Sequence, residues 1–120
     1  MSSSQEAQAI AETYLKEMLE ADDTADFALY TKRYEEKYLQ GFTSEIFAKD
    51  IQQMQARNGM NQGYEFLAQL RSSFIEDSAL QDIEVLRFVW KGQYEKRDAV
   101  IEVAIYEKNG TWYLIQSSVH

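Results

Sequence analysis

The fold is decided by residues 98–119, which read DAVIEVAIYEKNGTWYLIQSSV. Two runs rich in β-branched and aromatic residues flank Asn109 and Gly110, and this pair suits a type I′ turn because both central positions of that turn need positive φ angles. The stretch therefore predicts a β-hairpin. The preceding residues repeat the same two-residue hydrophobic period, so we predict strands near 64–74, 82–92, 98–107 and 111–119.

The hairpin also assigns side chains to the two faces of the sheet, since successive residues of a strand point to opposite sides. If Asn109 and Gly110 form the loop, Ile105 pairs with Leu114, and alternate residues share their face. The predicted interior set is Ile101, Val103, Ile105, Trp112, Leu114, Gln116 and Ser118. The strand near 82–92 joins with the same parity, which adds Phe88 and Trp90 to the interior.

The residues before position 60 show the 3.6-residue period of amphipathic helices. Ser3 and Glu6 form a capping box at the start of a first helix of roughly four turns. An aromatic stripe ending at Gly41 predicts the second helix, and its members are Phe27, Tyr30, Tyr34 and Tyr38. Thr43 caps the third helix, which ends at Gly59. The predicted fold is α+β, with three helices packed on a curved antiparallel sheet.

Composition limits the function classes. The chain has 120 residues, enough for one domain spanning 1–120, and its net charge of −8 without a basic stripe argues against binding to nucleic acid or to an anionic membrane. Because there is no Cys and the single His is His120, we expect neither a metal nor another cofactor. Residues 1–20 are too polar for a signal peptide, which favours a cytoplasmic location.

Three acidic residues, Asp22, Asp23 and Asp26, follow the apolar stripe of the first helix. They could bind a divalent cation, but the regular ligand spacing and the central Gly of a calcium loop are missing. Acidic residues also cap helix N-termini and interact favourably with the helix dipole. We therefore interpret all three as helix-capping residues.

The order of the elements resembles a known superfamily. Three helices followed by a meandering sheet that closes with Asn109-Gly110-Thr111-Trp112-Tyr113-Leu114-Ile115-Gln116 are similar to the nuclear transport factor 2-like proteins. These share a cone-shaped α+β fold with ketosteroid isomerase, scytalone dehydratase and polyketide cyclases, and the resemblance is closest to small bacterial members of unknown function. It covers nearly the whole chain and implies that Trp112, Leu114, Gln116 and Ser118 point into the cone.

Two functions follow as alternatives. In the first, the chain is a non-catalytic module that holds a small apolar ligand in the cone. The predicted ligand-binding residues are Tyr14, Tyr30, Tyr34, Trp90, Trp112, Gln116 and Ser118, which could equally fill the cone as core. In the second, the chain is an isomerase, dehydratase or cyclase acting on a hydrophobic carbonyl compound. That enzyme would need a carboxylate from a helix or loop, such as Asp26 or Asp50, since no inward strand residue can act as a general base.

The outer face of the predicted sheet is too apolar to lie comfortably in water, because the helices can cover only one face. The residues expected on this face are Val85, Val89, Tyr106, Tyr113 and Ile115. A second copy of the sheet is the simplest cover. The sequence therefore predicts a homodimer formed through these residues.

Overall fold

The computed structural model describes the backbone of residues 4–75 and 83–120, so Ser3, predicted to cap the first helix, lies outside the described residues. The helices are α1 (Ser4–Thr24), α2 (Phe27–Thr31) and α3 (Ser44–Asn58), with a 3₁₀ turn at Glu36–Tyr38. The strands are β1 (Asn61–Ile75), β2 (Ile83–Tyr94), β3 (Asp98–Lys108) and β4 (Thr111–Val119). They form one antiparallel, curved and unclosed sheet in the order β1-β2-β3-β4, which confirms the predicted α+β class.

The β3–β4 hairpin has the predicted turn. Asn109 has a φ of 53° and Gly110 a φ of 81°, the two positive values that a type I′ turn requires. At the other end of the sheet, the pairing of β1 with β2 shifts its register at three places along β1. Extra residues of this kind bend a strand and increase its twist, which accounts for the curvature of the sheet on that side.

The helical layer packs on one face of the sheet and fills its concavity. Ala11 and Leu15 on α1 are fully buried, as are Phe88 on β2 and Ile101 on β3. Trp90 at the centre of this cluster is only 1% exposed. Within the described part of the chain, no helix is both long enough and apolar enough to cross a membrane.

The third helix begins and ends as predicted. The Thr43 side chain accepts a hydrogen bond from the backbone N–H of Ile46 at 3.2 Å, and Phe42 packs against Phe47 with ring centroids 6.3 Å apart. Gly59, with a φ of 79°, ends the helix and donates its N–H to the carbonyl of Gln55. These local signals place Phe47 of α3 against Phe27 and Tyr30 of α2.

The prediction of one helix from Phe27 to Gly41 is wrong. Helix α2 ends at Thr31, and the chain then forms a short parallel bridge between Tyr34 and Leu114 on β4. The Arg33 carbonyl accepts the N–H of Leu114 at 2.8 Å. Because β4 is the edge of the sheet, its outward N–H groups need partners, and this tertiary hydrogen bond outweighs the helical propensity of the segment.

The predicted register of the hairpin holds only near the turn. Ile105 pairs with Leu114 as expected, but the next pair is Ala104 with Gln116, so Ile115 is an extra residue in β4. A one-residue bulge moves every later side chain to the opposite face. The prediction that Gln116 shares the interior face with Val103 is therefore wrong, and so is the same prediction for Ser118; Ser117 takes the inward position.

Candidate functional site

A cavity of about 260 Å³ lies where α1 and α3 meet the end of β4. Its volume exceeds the roughly 150 Å³ of an engineered cavity that binds benzene. The wall comes from four parts of the chain: α1, α2, the segment leading into α3 together with α3 itself, and β4. The lining residues are Met18, Asp22, Tyr30, Phe42, Phe47, Asp50, Ile51, Gln53, Met54, Arg57, Ser117, Ser118 and Val119.

Aromatic rings form one side of the cavity. Tyr30 packs against Phe47 with ring centroids 4.6 Å apart and against Phe42 at 5.8 Å, and Phe27 closes the group behind them. The position of Phe47 follows from the Thr43 cap, which starts α3 one turn earlier. Local helix capping therefore builds the apolar wall of the cavity.

A network of hydroxyl groups joins this aromatic wall to β4. The Tyr30 hydroxyl donates to the Ser117 carbonyl at 3.0 Å, while the Tyr34 hydroxyl lies 2.7 Å from the Ser117 Oγ. The Ser117 Oγ also lies 3.2 Å from the Tyr30 oxygen. Burial raises the pKa of both Tyr30 and Tyr34 above the ordinary value of 10.0, so both phenols stay protonated.

The most unusual lining residue is Asp22. It lies inside α1, is only 8% exposed, and contributes to the cavity wall. Burial, together with the charge of Asp23, raises the pKa of the Asp22 carboxyl from 3.8 to about 7. In the described part of the chain, no cation pairs with this carboxyl and no donor is hydrogen-bonded to it. Burying a carboxyl without a partner lowers the stability of the folded protein. Buried groups with shifted pKa values are enriched at functional sites.

Sequence reasoning missed Asp22 because it grouped this residue with its acidic neighbours as a cap. Asp26 does cap α2, since its Oδ1 accepts the Leu29 N–H at 3.1 Å. Asp22 does not, because α1 continues to Thr24. One signal in the sequence could have found it: Asp22 lies four residues after Met18 and eight after Tyr14, on the same buried stripe of the helix.

Only part of the predicted ligand-binding set borders the cavity. Tyr30 and Ser118 are among its lining residues, and Tyr34 is hydrogen-bonded to another lining residue, Ser117. Tyr14 and Trp90 lie instead in the filled core, at 8% and 1% exposure. The remaining aromatic residue, Trp112, packs against that core. Its backbone carbonyl accepts the Tyr14 hydroxyl at 2.9 Å.

Gln116 and Ser118 make their side-chain contacts on the outer face of the sheet. Gln116 accepts a hydrogen bond from Arg87, and its amide donates to the Ser118 hydroxyl at 3.3 Å. The Ser118 hydroxyl also lies 3.2 Å from Nε2 of His120, which in turn lies 3.0 Å from Glu102. These polar residues cover part of the face that the sequence predicted to be apolar.

The rest of the outer face includes the residues predicted to form a dimer interface. Tyr106 is already fully buried within one chain, and Val85 is 3% exposed, whereas Val89, Tyr113 and Ile115 are half-buried. Tyr38, from the segment after α2, packs against Tyr106 with ring centroids 6.3 Å apart, and the Tyr106 hydroxyl donates to Glu35. Tyr113 packs against Tyr106 with ring centroids 5.7 Å apart. Tyr113 and Ile115 thus present more surface than Tyr106 does.

Comparison with known proteins adds no assignment. No family model matches the sequence, and no match is found among curated proteins or solved structures. Over residues 4–75 and 83–120, no group of three or more His, Cys, Asp or Glu side chains is arranged to hold a metal ion. The cavity is therefore interpreted from its own chemistry.

Proposed function

We propose that this domain binds a small, mostly apolar molecule in the cavity between α1, α3 and the end of β4. The observation that carries the proposal is the buried carboxyl of Asp22 in a cavity that has an aromatic wall on one side and both aliphatic and polar residues around the rest. Ligand sites in proteins combine such apolar walls with a few polar groups that orient the ligand. The nuclear transport factor 2-like resemblance agrees with a ligand held between helices and sheet, although here the site lies beside the filled core.

The hydroxyl groups at the cavity favour binding over catalysis. The Tyr30 hydroxyl donates a hydrogen bond to the backbone carbonyl of Ser117, and the Ser117 hydroxyl is hydrogen-bonded to the side chains of Tyr34 and Tyr30. Neither hydroxyl is left as a donor for the oxyanion that forms when a carbonyl compound loses a proton. The cavity therefore offers orientation and burial to a ligand more readily than it offers stabilisation of a transition state.

The binding proposal is tested with phenethyl alcohol, a small neutral probe with one aromatic ring and one hydroxyl. Amide chemical shifts are followed by NMR as the probe is added. We expect saturable shifts at Tyr30, Ile51 and Ser117, which surround the cavity. Shifts spread over the outer sheet face instead, or no saturable shifts at all, would contradict the proposed site.

A matched pair of variants ties the signal to the cavity. Gln53 is exposed and lies at the cavity wall, whereas Gln52, the preceding residue on α3, is exposed but does not line the cavity. Gln53→Trp places a large side chain in the cavity from an exposed position, where it does not disturb the core. We therefore expect it to abolish probe binding. Gln52→Trp adds the same side chain outside the cavity and should leave binding unchanged.

One observation favours a second candidate function. A general acid or base works best when its pKa lies near the working pH, and the Asp22 pKa of about 7 meets that condition. Asp22 would then remove a proton next to the carbonyl of a hydrophobic substrate, as an isomerase or cyclase requires. Neither of the acids considered from the sequence, Asp26 and Asp50, has the burial of Asp22.

This second candidate is tested by proton exchange. The α-protons of 4-phenyl-2-butanone exchange with deuterated solvent, and NMR measures the rate with and without protein. An enzyme with Asp22 as its base should accelerate the exchange, and Asp22→Asn should remove the acceleration. Exchange at the buffer rate, together with binding of phenethyl alcohol, would contradict the enzyme candidate and leave ligand binding as the remaining proposal.

We also propose that the domain acts as a cytoplasmic homodimer. The support is the outer face of the sheet, where Tyr113 and Ile115 stay partly exposed beside the buried Tyr106. A self-complementary patch on a two-fold axis would bury these side chains in both copies. The cavity lies at the helical side, so dimerisation through this face leaves it accessible.

A further inference from the structure

The charges around the cavity are predominantly acidic. Asp22 contributes a buried carboxyl from α1, and Asp50 contributes an exposed one from α3. Arg57 is the cation among the lining residues, and its Nη2 donates to the Val119 carbonyl at 3.2 Å. Since the whole chain also carries a net charge of −8, a cationic ligand is attracted from a distance and an anionic one is repelled.

The aromatic wall is suited to the apolar part of such a ligand. Tyr30, Phe42 and Phe47 form a packed group of rings along one side of the cavity. Aromatic side chains offer a large apolar surface for a ligand to pack against. The site therefore places an aromatic wall and a buried carboxyl around one volume, a combination that fits a positive group on an apolar body.

We infer that the preferred ligand of this cavity is an organic amine, with its ammonium group paired to Asp22 and its apolar body against the aromatic wall. The inference rests on the proposed binding function and names its ligand class. An ammonium supplies both the charge and the hydrogen-bond donors that the buried carboxyl lacks. A neutral alcohol or ketone supplies no charge, and a carboxylic acid would add a further negative charge to those of Asp22 and Asp50.

The pH dependence of binding separates an amine from a neutral ligand. The titratable and charged groups around Asp22 are Asp23 on α1, Tyr30 on α2, Asp50 and Arg57 on α3, and Tyr94 on β2. Because the Asp22 pKa is raised to about 7, an ammonium that requires the ionised carboxyl binds more tightly as the pH rises toward 8. A neutral ligand that accepts a hydrogen bond from the protonated carboxyl would weaken over the same range.

The test compares three probes of similar size and different charge: phenethylamine, phenethyl alcohol and 3-phenylpropionate. Affinities are measured by NMR titration at pH 5.5 and pH 8, where the amine stays protonated. At pH 8 we expect phenethylamine to bind about tenfold or more tightly than the alcohol, and 3-phenylpropionate to bind weakest. We also expect the amine to bind about tenfold or more tightly at pH 8 than at pH 5.5, because the ionised fraction of Asp22 increases by more than that factor.

Variants locate the charge that is responsible. Asp22→Asn should remove most of the preference for phenethylamine over the alcohol while the alcohol still binds, and Asp50→Asn, at an exposed position, should reduce the preference by a smaller amount. Glu20→Gln removes the same charge from an exposed position on α1 that does not line the cavity, so the preference should persist. If the alcohol binds as tightly as the amine, the inference is wrong and the binding function stands. If no probe binds, both are overturned.

Discussion

Asp22→Asn should stabilise the free protein, and the gain should increase with pH. The pKa of the Asp22 carboxyl is 3.8 in an unstructured chain and about 7 in the folded protein, chiefly because the group is buried. Between these pH values the unfolded chain releases the proton while the folded chain retains it, so folding becomes less favourable as the pH rises. Asn has nearly the same shape and cannot ionise, so its folded state does not carry this penalty.

The size of the effect follows from the separation of the two pKa values, since each tenfold change in proton affinity is worth about 1.4 kcal/mol. Below pH 3.8 both states are protonated and the penalty is absent. Above the folded-state pKa it reaches its full value of roughly 4 kcal/mol, an upper limit set by complete ionisation. The advantage of D22N over the wild type should therefore grow by roughly 2–3 kcal/mol between pH 5 and pH 8.

Urea unfolding at pH 5, pH 6.5 and pH 8, followed by tryptophan fluorescence, measures this change. Trp90 at the centre of the core reports the loss of packing. E20Q is the control, because it removes a negative charge from an exposed position on the same helix and should show no comparable pH dependence. An equal gain for D22N at pH 5 and pH 8 would refute the reasoning, since it would mean that the carboxyl ionises normally in the folded state.

Three further predictions concern the sheet and its edge. Tyr113→Glu should convert the proposed dimer to a monomer in sedimentation velocity, because it buries charge on a two-fold axis; a monomeric wild type at micromolar concentration would contradict the dimer. Glu35→Ala removes the acceptor of the Tyr106 hydroxyl and should lower the free energy of unfolding by about 1–2 kcal/mol, whereas Glu36→Ala at an exposed position should change it little. Gly110→Ala should cost about 1–2 kcal/mol in urea unfolding, since its φ is 81°; no change would argue against the type I′ turn.

Local signals predicted much of the fold because each depends on a few neighbouring residues. The Asn109-Gly110 turn, the Thr43 cap and the Gly59 end of α3 all have the conformations expected from their residue types. The change from a helical to a two-residue hydrophobic period near Tyr64 predicts the start of the sheet, which lies at Asn61. These features need no knowledge of which distant elements meet.

The errors arise where a distant contact decides a local structure. The second helix was predicted to continue past Thr31, but the Arg33 carbonyl accepts a hydrogen bond from Leu114, about 80 residues away in sequence. The bulge at Ile115 is similar, because strict alternation predicts an inward Gln116 and gives no sign of an extra residue. The inward residue is Ser117, whose hydroxyl is hydrogen-bonded to Tyr30 of α2 and to Tyr34 just after it.

The candidate site could be predicted only in part for the same reason. Aromatic residues of the second helix were expected to line a pocket, and Tyr30 does so, but the cone interior where Trp90 lies is filled. The position of the cavity depends on how α3 sits against α1 and β4, which no local pattern encodes. The sequence does not single out Asp22, because an acidic cluster is a common capping signal and Asp22 stands beside Asp23 and Asp26, although it lies on the buried stripe of α1.

The stability cost at Asp22 and the proposed amine preference have a single physical origin. A carboxyl buried without a partner makes folding less favourable as the pH rises through the range between its unfolded and folded pKa values, 3.8 and about 7. A ligand that binds only the folded state adds stability according to its affinity and concentration. An ammonium at Asp22 compensates the ionised charge directly, so it should restore most stability in the pH range where the free protein has lost it. A neutral ligand leaves the charge uncompensated. The group that destabilises the free domain as the pH rises to about 7 is thus the group that would make its complex with an amine selective.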